Sequence, residues 1–236
     1  MSSTERQAMK VLFLITSASE ATWLAEVTHP YWHLAERGIQ VDFASPKGGK
    51  IVWNPWSDPF TADSQERDDL VSKGFLSDKA LVQRLDTTIP LSSVKLSDYE
   101  AVHVAGGLGA AVDLFPSSEV AEILDYFFNA KKIVGAICHG VIALANNPDH
   151  IRGLNLTGYS LSEDLQVEAL LGKGFIPNYP QPVLEAAGAL FTSAEPQGVR
   201  VVLDGTLITG QNQQSASEYG IALHDAITGQ KPVVSS

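Results

Sequence analysis

Cysteine is nearly absent from this chain: Cys138 is the single one among 236 residues. One thiol cannot form a disulfide within the chain, and a lone cysteine without a secretory leader fits a reducing compartment. Residues 1–9 carry Ser, Thr, Glu and Gln rather than a basic segment followed by a long apolar one, which predicts a short disordered tail and no signal peptide. These features predict a cytoplasmic protein with a free thiol.

Basic residues are also scarce. The 16 Lys and Arg stand against 27 Asp and Glu, which gives a formal net charge of −11. Such a surface repels phosphate backbones and anionic lipid, so nucleic acid is not an expected partner. Long apolar runs are missing too: stretches such as residues 11–15 have strand length, whereas a membrane helix needs about 20 apolar residues. No membrane partner is expected.

The length and the apolar content indicate one substantial core. Hydrophobic residues make up 44% of the chain, and no repeat, low-complexity tract or Pro-rich linker marks a boundary. We expect a single domain over residues 10–230. Within it, residues 45–96 contain many Pro, Gly and charged residues, which predicts an inserted region over the edge of a sheet, with residues 68–85 as its helix.

Apolar runs of strand length alternate with apolar residues at helical spacing, which is typical of an α/β fold. The sequence predicts a single doubly wound, mostly parallel sheet with helices on both faces, in which sites form at the carboxyl ends of the strands. The predicted strands are 10–16, 39–44, 101–105, 132–137, 156–159 and a hairpin of 199–203 with 207–209. The predicted helices are 20–37, 68–85, one from 117, 141–145 and 213–227.

Cys138 stands where a predicted buried strand gives way to a helix, and His139 and Gly140 follow it. This pattern is typical of a nucleophile elbow, in which a tight turn exposes the reactive atom. A helix N-terminus beside the sulfur favours the thiolate, so we expect an unusually acidic thiol. The alternative interpretation is an inert, buried cysteine, which is common among free thiols.

Gly106 and Gly107 follow the neighbouring predicted strand. Their backbone N–H groups can stabilise an oxyanion that forms when the sulfur attacks a carbonyl carbon. A plain tight turn is the alternative interpretation of the same glycines.

Five segments, in this order, resemble the DJ-1/PfpI superfamily: Ala-Ser-Pro-Lys-Gly-Gly, Ala-Gly-Gly-Leu-Gly, Ala-Ile-Cys-His-Gly, Thr-Gly-Tyr-Ser-Leu-Ser-Glu-Asp and Asp-Gly-Thr-Leu-Ile-Thr-Gly-Gln-Asn. The resemblance covers nearly the entire chain. It is with the Hsp31-like branch, which includes glyoxalase III enzymes and holding chaperones. It implies a flavodoxin-like sheet of the kind also found in class I glutamine amidotransferases.

The resemblance also implies roles for individual residues. The nucleophile falls on Cys138 and the catalytic histidine on His139, while Glu26 is the acid that contacts the cysteine and carries protons. The acid that orients the histidine falls on Asp164. Glu163 competes for this role, although its spacing from a serine three residues earlier already predicts a capping box at the start of a helix.

The implied activity is a glutathione-independent conversion of methylglyoxal, or a related dicarbonyl, to a hydroxy acid. No metal and no cofactor are expected, and the resemblance favours a homodimer. A holding chaperone or redox sensor is the alternative, and an amidase or peptidase is a further one. Three segments depart from the glyoxalase-like pattern: Leu108 replaces a histidine, 211–215 read Gln-Asn-Gln-Gln-Ser, and 175–182 differ throughout. A different substrate is compatible with these changes.

Histidines and tryptophans outside these motifs give weaker signals. His29 and His33 are four residues apart, but no third ligand accompanies them, so the pattern does not predict a metal site. Trp53 and Trp56 lie in the predicted insertion. They form either an exposed aromatic patch for a partner or the packing of a long loop onto the body.

Overall fold

The structure, a computed structural model, describes residues 9–230. The disordered tail predicted for residues 1–9 therefore falls almost wholly outside the described residues. The strands are β1 (Lys10–Leu14), β2 (Gln40–Ser45), β3 (Ile89–Pro90), β4 (Ala101–Val104), β5 (Ile133–Ile137), β6 (Asn155–Leu156), β7 (Leu190–Phe191), β8 (Val201–Asp204) and β9 (Leu207–Gly210). The helices are α1 (Ala25–Ala35), α2 (Leu70–Ser77), α3 (Lys79–Asp86), α4 (Ala110–Asp113), α5 (Ser118–Asn129), α6 (Leu161–Leu171), α7 (Pro180–Ala186) and α8 (Ala216–Thr228).

Seven strands form one sheet in the order β3-β2-β1-β4-β5-β9-β8. All neighbours pair in parallel except β8, which runs antiparallel to β9. The strand order reverses between β1 and β4, so the carboxyl ends of the central strands open a crevice at this point. The predicted doubly wound, mostly parallel sheet and the predicted hairpin are both confirmed.

Apolar side chains cover both faces of the sheet. On one face, α4, α5 and α7 pack over β4 and β5 around residues such as Phe127 and Leu124. On the other, α1 and α8 pack together around Leu34 and Tyr219. None of the helices within residues 9–230 has the length and apolar character that crossing a membrane requires.

The predicted helix over residues 20–37 was too long at its start, because α1 begins at Ala25. The preceding residues form a loop held to the region after β2. The N–H of Thr22 donates to the carbonyl of Val52 at 3.0 Å, and Ala21 has a left-handed φ of 70°. Tertiary hydrogen bonds thus replace the helical ones that apolar spacing alone predicts.

The single helix predicted over residues 68–85 was also wrong, because two helices, α2 and α3, occupy this stretch. Asp78 separates them: its backbone is extended, with φ −91° and ψ 105°, and its side chain accepts hydrogen bonds from the N–H groups of Ala80 and Leu81. Aspartate favours this N-cap role over a helix interior. Phe75 from α2 and Leu85 from α3 both enter the core under α1.

Three further elements differ from the prediction. The strand expected over residues 156–159 ends at Leu156 and pairs with β7 in a separate two-stranded sheet. The helix expected over residues 141–145 is instead a run of 3₁₀ turns, Cys138–Asn146, that is buried along most of its length. The last helix begins three residues late, because Gln213–Ser215 form a 3₁₀ turn before α8.

Candidate active site

Cys138 follows β5 directly, at the strand end next to the crevice. Its φ of 56° lies in the left-handed region, which costs an ordinary L-residue about 1–2 kcal/mol. The turn closes because residue 140 is a glycine: a Cβ there would lie 2.7 Å from the carbonyl oxygens of Val104 and Ala105. The expected tight turn is therefore present. The thiol was also expected to be exposed, but Cys138 is only 3% accessible.

His139 lies between the thiol and Asp164. Its Nδ1 is 3.5 Å from the sulfur of Cys138, and its Nε2 is 2.8 Å from Oδ1 of Asp164. Since a carboxylate accepts the Nε2 proton, the Nδ1 lone pair of the neutral ring faces the sulfur. All three residues are buried. The structure thus brings the cysteine, the histidine and Asp164 into one line of contacts.

Glu163 has another position in the site. It completes the predicted capping box with Ser160. Its other oxygen accepts hydrogen bonds from the backbone N–H of Gln197 at 2.9 Å and from Nδ2 of Asn212 at 2.8 Å. Both oxygens are therefore occupied by donors that hold α6 against the loops before and after β8 and β9. The contact to His139 belongs to Asp164.

Glu26, in the first turn of α1, is fully buried, and its carboxyl group faces the thiol. A Cβ placed on Gly106 would lie 2.4 Å from Oε2 of Glu26 and 2.8 Å from Cβ of Cys138, so only glycine leaves room for this approach. Within the described residues, neither oxygen of Glu26 completes a hydrogen bond of normal geometry. The site thus holds a buried carboxyl group without a fixed partner beside a sulfur atom.

The two glycines after β4 face different groups. The Gly106 amide is directed at the Glu26 carboxyl group, whereas the amides of Gly107 and His139 are directed at the sulfur. Gly107 has a φ of 90°, and a Cβ there would meet the backbone of Thr22 at 2.5 Å. Close approach to a neighbouring chain segment therefore requires glycine at this position.

Burial controls the titration of the pair. Burial raises the pKa of Glu26 to about 8, against the lowering effects of the Cys138 thiol and the Gly106 amide. Burial and the adjacent Glu26 carboxyl raise the pKa of the Cys138 thiol well above its ordinary value, and the amides of Gly107 and His139 oppose this rise. The acidic thiol expected from the elbow is therefore not found, because desolvation outweighs the backbone N–H groups.

A cavity of about 150 Å³ opens onto Cys138 and His139. Tyr159 forms one wall, with its ring 4.3 Å from that of His139. Trp23 and Trp56 also line the cavity. The cavity thus places Cys138 and His139 beside a wall that mixes aromatic, aliphatic and amide side chains.

Several cavity residues were not predicted as site residues. No local sequence pattern marks Tyr159, Trp23 or the leucines of α6 as site residues. Their positions depend on how α6 packs against the loop after β2. Trp56, weighed as either a patch or loop packing, lines the cavity. Two of the departures from the glyoxalase-like pattern, Leu108 and Gln213, line it as well, whereas residues 175–182 do not.

The histidines outside the site have separate partners. His29 contacts Asp69 at 3.0 Å, and His33 contacts Ser217 at 2.8 Å. Within residues 9–230, no group of three or more His, Cys, Asp or Glu side chains is arranged to hold a metal ion.

Comparison with known proteins places this geometry in a family. Residues 9–226 match the DJ-1/PfpI family. The solved structure of Rapid Encystment Protein 24 KDa from Francisella tularensis superposes with a TM-score of 0.81 at 30% identity, over 93% of this chain and 99% of that one. Glyoxalase 3 of Candida albicans is 27% identical over 229 residues, which cover 88% of this chain and 94% of that protein.

A third relative matches over a shorter stretch. The human glutamine amidotransferase-like class 1 domain-containing protein 1 is 35% identical over 127 residues, which cover 53% of this chain and 58% of that protein. This similarity therefore spans little more than half the length of the curated relative. The crystal structure of Candida albicans glyoxalase III superposes with a TM-score of 0.77 at 24% identity, which supports the shared fold. The chain belongs to the DJ-1/PfpI family.

Proposed function

We propose that this protein is a cysteine-dependent, glutathione-independent enzyme that converts a 2-oxoaldehyde such as methylglyoxal to a 2-hydroxy acid. The observation that carries the proposal is the buried Glu26 carboxyl group, which has no fixed partner and faces the sulfur of Cys138. An isomerisation needs an acid and base beside the carbon that the sulfur attacks. The similarity to Glyoxalase 3 agrees with this assignment.

The first step joins the substrate to the enzyme. The sulfur adds to the aldehyde carbon while its proton moves to Nδ1 of His139, which faces it. We assign the amides of Gly107 and His139, which are directed at the sulfur, as the donors to the developing oxyanion. With a pKa of about 8, Glu26 holds a proton at neutral pH and gives it to this oxygen. A hemithioacetal and a Glu26 carboxylate result.

The second step moves hydrogen between the two carbons. The Glu26 carboxylate removes the proton on the former aldehyde carbon, and the imidazolium of His139 protonates the neighbouring oxygen, which gives an enediol. Glu26 then delivers its proton to the second carbon and takes the hydroxyl proton of the first, which leaves a thioester. One carbon is oxidised by two electrons and its neighbour is reduced by two, so no external oxidant or reductant is needed.

The last step releases the product. Water, with His139 as base, attacks the thioester carbon, and the C–S bond breaks to restore the thiol. Asp164, 2.8 Å from Nε2, holds the ring in the tautomer that this step uses. The sum for methylglyoxal is addition of one water molecule to give lactate.

Incubation of the purified protein with methylglyoxal in the absence of glutathione tests the proposal. We expect lactate from the wild type and none above background from Cys138→Ala. Wild-type protein that forms no lactate would overturn the proposal.

The alternatives from the sequence are tested on the same preparation. A holding chaperone or redox sensor acts without dicarbonyl turnover, and suppression of client aggregation or reversible thiol oxidation would identify it. Release of ammonia or amine from amide substrates would identify an amidase or peptidase. The homodimer and the cytoplasmic location stay predictions, to be checked by light scattering and by fractionation.

A further inference from the structure

Accessibility divides the cavity into an inner and an outer part. Cys138 and His139 at the floor are each 3% accessible. Leu108, Trp23 and Tyr159 are half-buried along the wall. The rim includes the exposed side chains of Gln166 and Leu170 from α6 and of Gln197 from the loop before β8. The reacting end of a substrate fits the floor, so any longer tail must contact the rim.

Side-chain amides are concentrated in the outer part. Gln65, Gln166, Gln197 and Gln213 all line it. Elsewhere in the chain, Gln181 and Gln211 use both ends of their amides in hydrogen bonds to the protein. The four outer glutamines make no such bonds within the described residues, so their donors and acceptors are available to a ligand.

The outer part also lacks positive charge. No Lys or Arg is among the described residues that line the cavity. Its acidic lining residue, Glu163, is already held by protein donors. Below the floor lie the carboxyl groups of Glu26 and Asp164, both buried. An anionic ligand would gain no counter-charge from this lining, whereas an uncharged ligand needs none, so the lining favours an uncharged ligand.

We propose that the outer part of the cavity is a subsite for the uncharged, hydroxyl-bearing tail of a sugar-derived 2-oxoaldehyde, with Gln166 and Gln213 hydrogen-bonded to its hydroxyl groups and Trp56 stacked on its C–H face. Amides can donate to and accept from hydroxyl groups, and an indole ring offers an apolar face. The inference rests on the proposed function and names its substrate class. The reaction is the same addition of one water molecule, now giving a polyhydroxylated 2-hydroxy acid.

The experiment compares three substrates: methylglyoxal, 3-deoxyglucosone, which has a neutral hydroxylated tail, and the 6-phosphate of 3-deoxyglucosone. The quantity of interest is the ratio of kcat/KM for each sugar-derived substrate to that for methylglyoxal. We expect Gln166→Leu and Gln213→Leu each to lower the 3-deoxyglucosone ratio about tenfold, the effect of one lost hydrogen bond. We expect the wild type to disfavour the phosphate by at least tenfold and Gln166→Arg to reverse most of this preference.

Gln83→Leu, an exposed glutamine on α3 far from the cavity lining, is the matched control and should leave the ratios unchanged. Thermal melting of each variant checks that it is folded. If the wild type turns over methylglyoxal but both leucine variants keep the wild-type ratio, the subsite is wrong and the proposed function stands. If the wild type accepts the phosphate as well as the neutral sugar, the charge argument fails. If it turns over none of the three, both proposals fall.

Discussion

Nε2 of His103 lies 3.0 Å from the backbone carbonyl oxygen of Glu26. In a regular helix this carbonyl would accept from the N–H of residue 30, but residue 30 is Pro30, which has none. A carbonyl can only accept, so His103 donates from Nε2 and its Nδ1 accepts from the hydroxyl of Tyr219 at 2.7 Å. Burial lowers the pKa of His103 to about 3, which keeps the ring neutral. A central strand thus fixes the turn that carries Glu26.

Tyr219→Phe tests this support. The change leaves Nδ1 of His103 buried without a donor, which we expect to lower the free energy of unfolding by about 1–3 kcal/mol. It should also lower kcat more than it raises KM, because Glu26 is displaced from the reacting carbons. Urea denaturation and steady-state kinetics measure both effects. Tyr126→Phe, on a partly exposed tyrosine of α5, is the control; equal effects of the two changes would contradict a positioning role.

Cys138→Gly and Cys138→Ala separate backbone strain from chemistry. Both remove the sulfur, so both should lose turnover. Because φ at this position is 56°, the glycine variant should be more stable than the alanine variant by about 1 kcal/mol. At an ordinary helical position glycine is the less stable of the two. Denaturant titration of the two proteins measures the difference in their free energies of unfolding. If the alanine variant is the more stable one, the backbone strain at this position is absent.

Glu26 makes stability depend on pH. Its pKa is about 8 in the folded protein and near 4.5 when exposed. Above pH 4.5 the unfolded chain releases this proton while the folded protein keeps it, so the free energy of unfolding falls as pH rises, up to about 8. The slope approaches about 1.4 kcal/mol per pH unit. We expect Glu26→Gln to remove this slope in denaturation measured from pH 5 to 8, whereas Glu122→Gln, on the exposed side of α5, keeps it.

The proposed mechanism uses the same proton. Since the mechanism begins with protonated Glu26, kcat/KM should fall as pH passes about 8. Glu26→Gln should lower turnover by roughly 10²–10⁴, the range typical of positioned acid–base groups, with little change in suppression of client aggregation. Rates across pH and a light-scattering assay on one preparation give both readouts. Unchanged turnover in Glu26→Gln would eliminate the proposed proton transfer, and parallel loss of both activities would indicate misfolding.

Asp164→Asn and Glu163→Gln distinguish two adjacent carboxylates. Asp164 contacts His139, so its amide variant should fold and melt near the wild-type temperature but lose much of its turnover through the wrong histidine tautomer. Glu163 accepts from Ser160, Gln197 and Asn212, and an amide group cannot accept from all of them. Glu163→Gln should therefore lower the free energy of unfolding by about 1–3 kcal/mol. If Glu163→Gln lost turnover and Asp164→Asn lost stability instead, the two roles would be exchanged.

Local sequence patterns predicted several features of the fold. The apolar run before Cys138 and the glycine at 140 predicted a tight turn, because a strand and a closing glycine are properties of neighbouring residues. The spacing of Ser160 and Glu163 predicted the capping box, which the structure confirms. The alternation of strands and helices predicted the parallel sheet, since a right-handed crossover leaves few arrangements open.

Tertiary structure decided the chemistry of the thiol. The dipole argument from the sequence predicted an acidic cysteine, but burial of Cys138 against Glu26 raises its pKa instead. Burial is a sum over residues from many parts of the chain, so no local pattern reports it. The choice of Asp164 over Glu163 likewise depends on where α6 lies relative to His139.

The order of residues along the chain establishes which atoms are candidates to react: one thiol, the imidazole next to it, and the carboxyl groups of Glu26, Glu163 and Asp164. Packing alone decided which of them meet. Glu26 reaches Cys138 because Pro30 leaves a carbonyl free for His103 and because Gly106 lacks a Cβ. The rim of glutamines formed because α6 and the loop after β2 converge over the strand ends. Such contacts join residues distant in sequence, and their energies arise only when the core is complete.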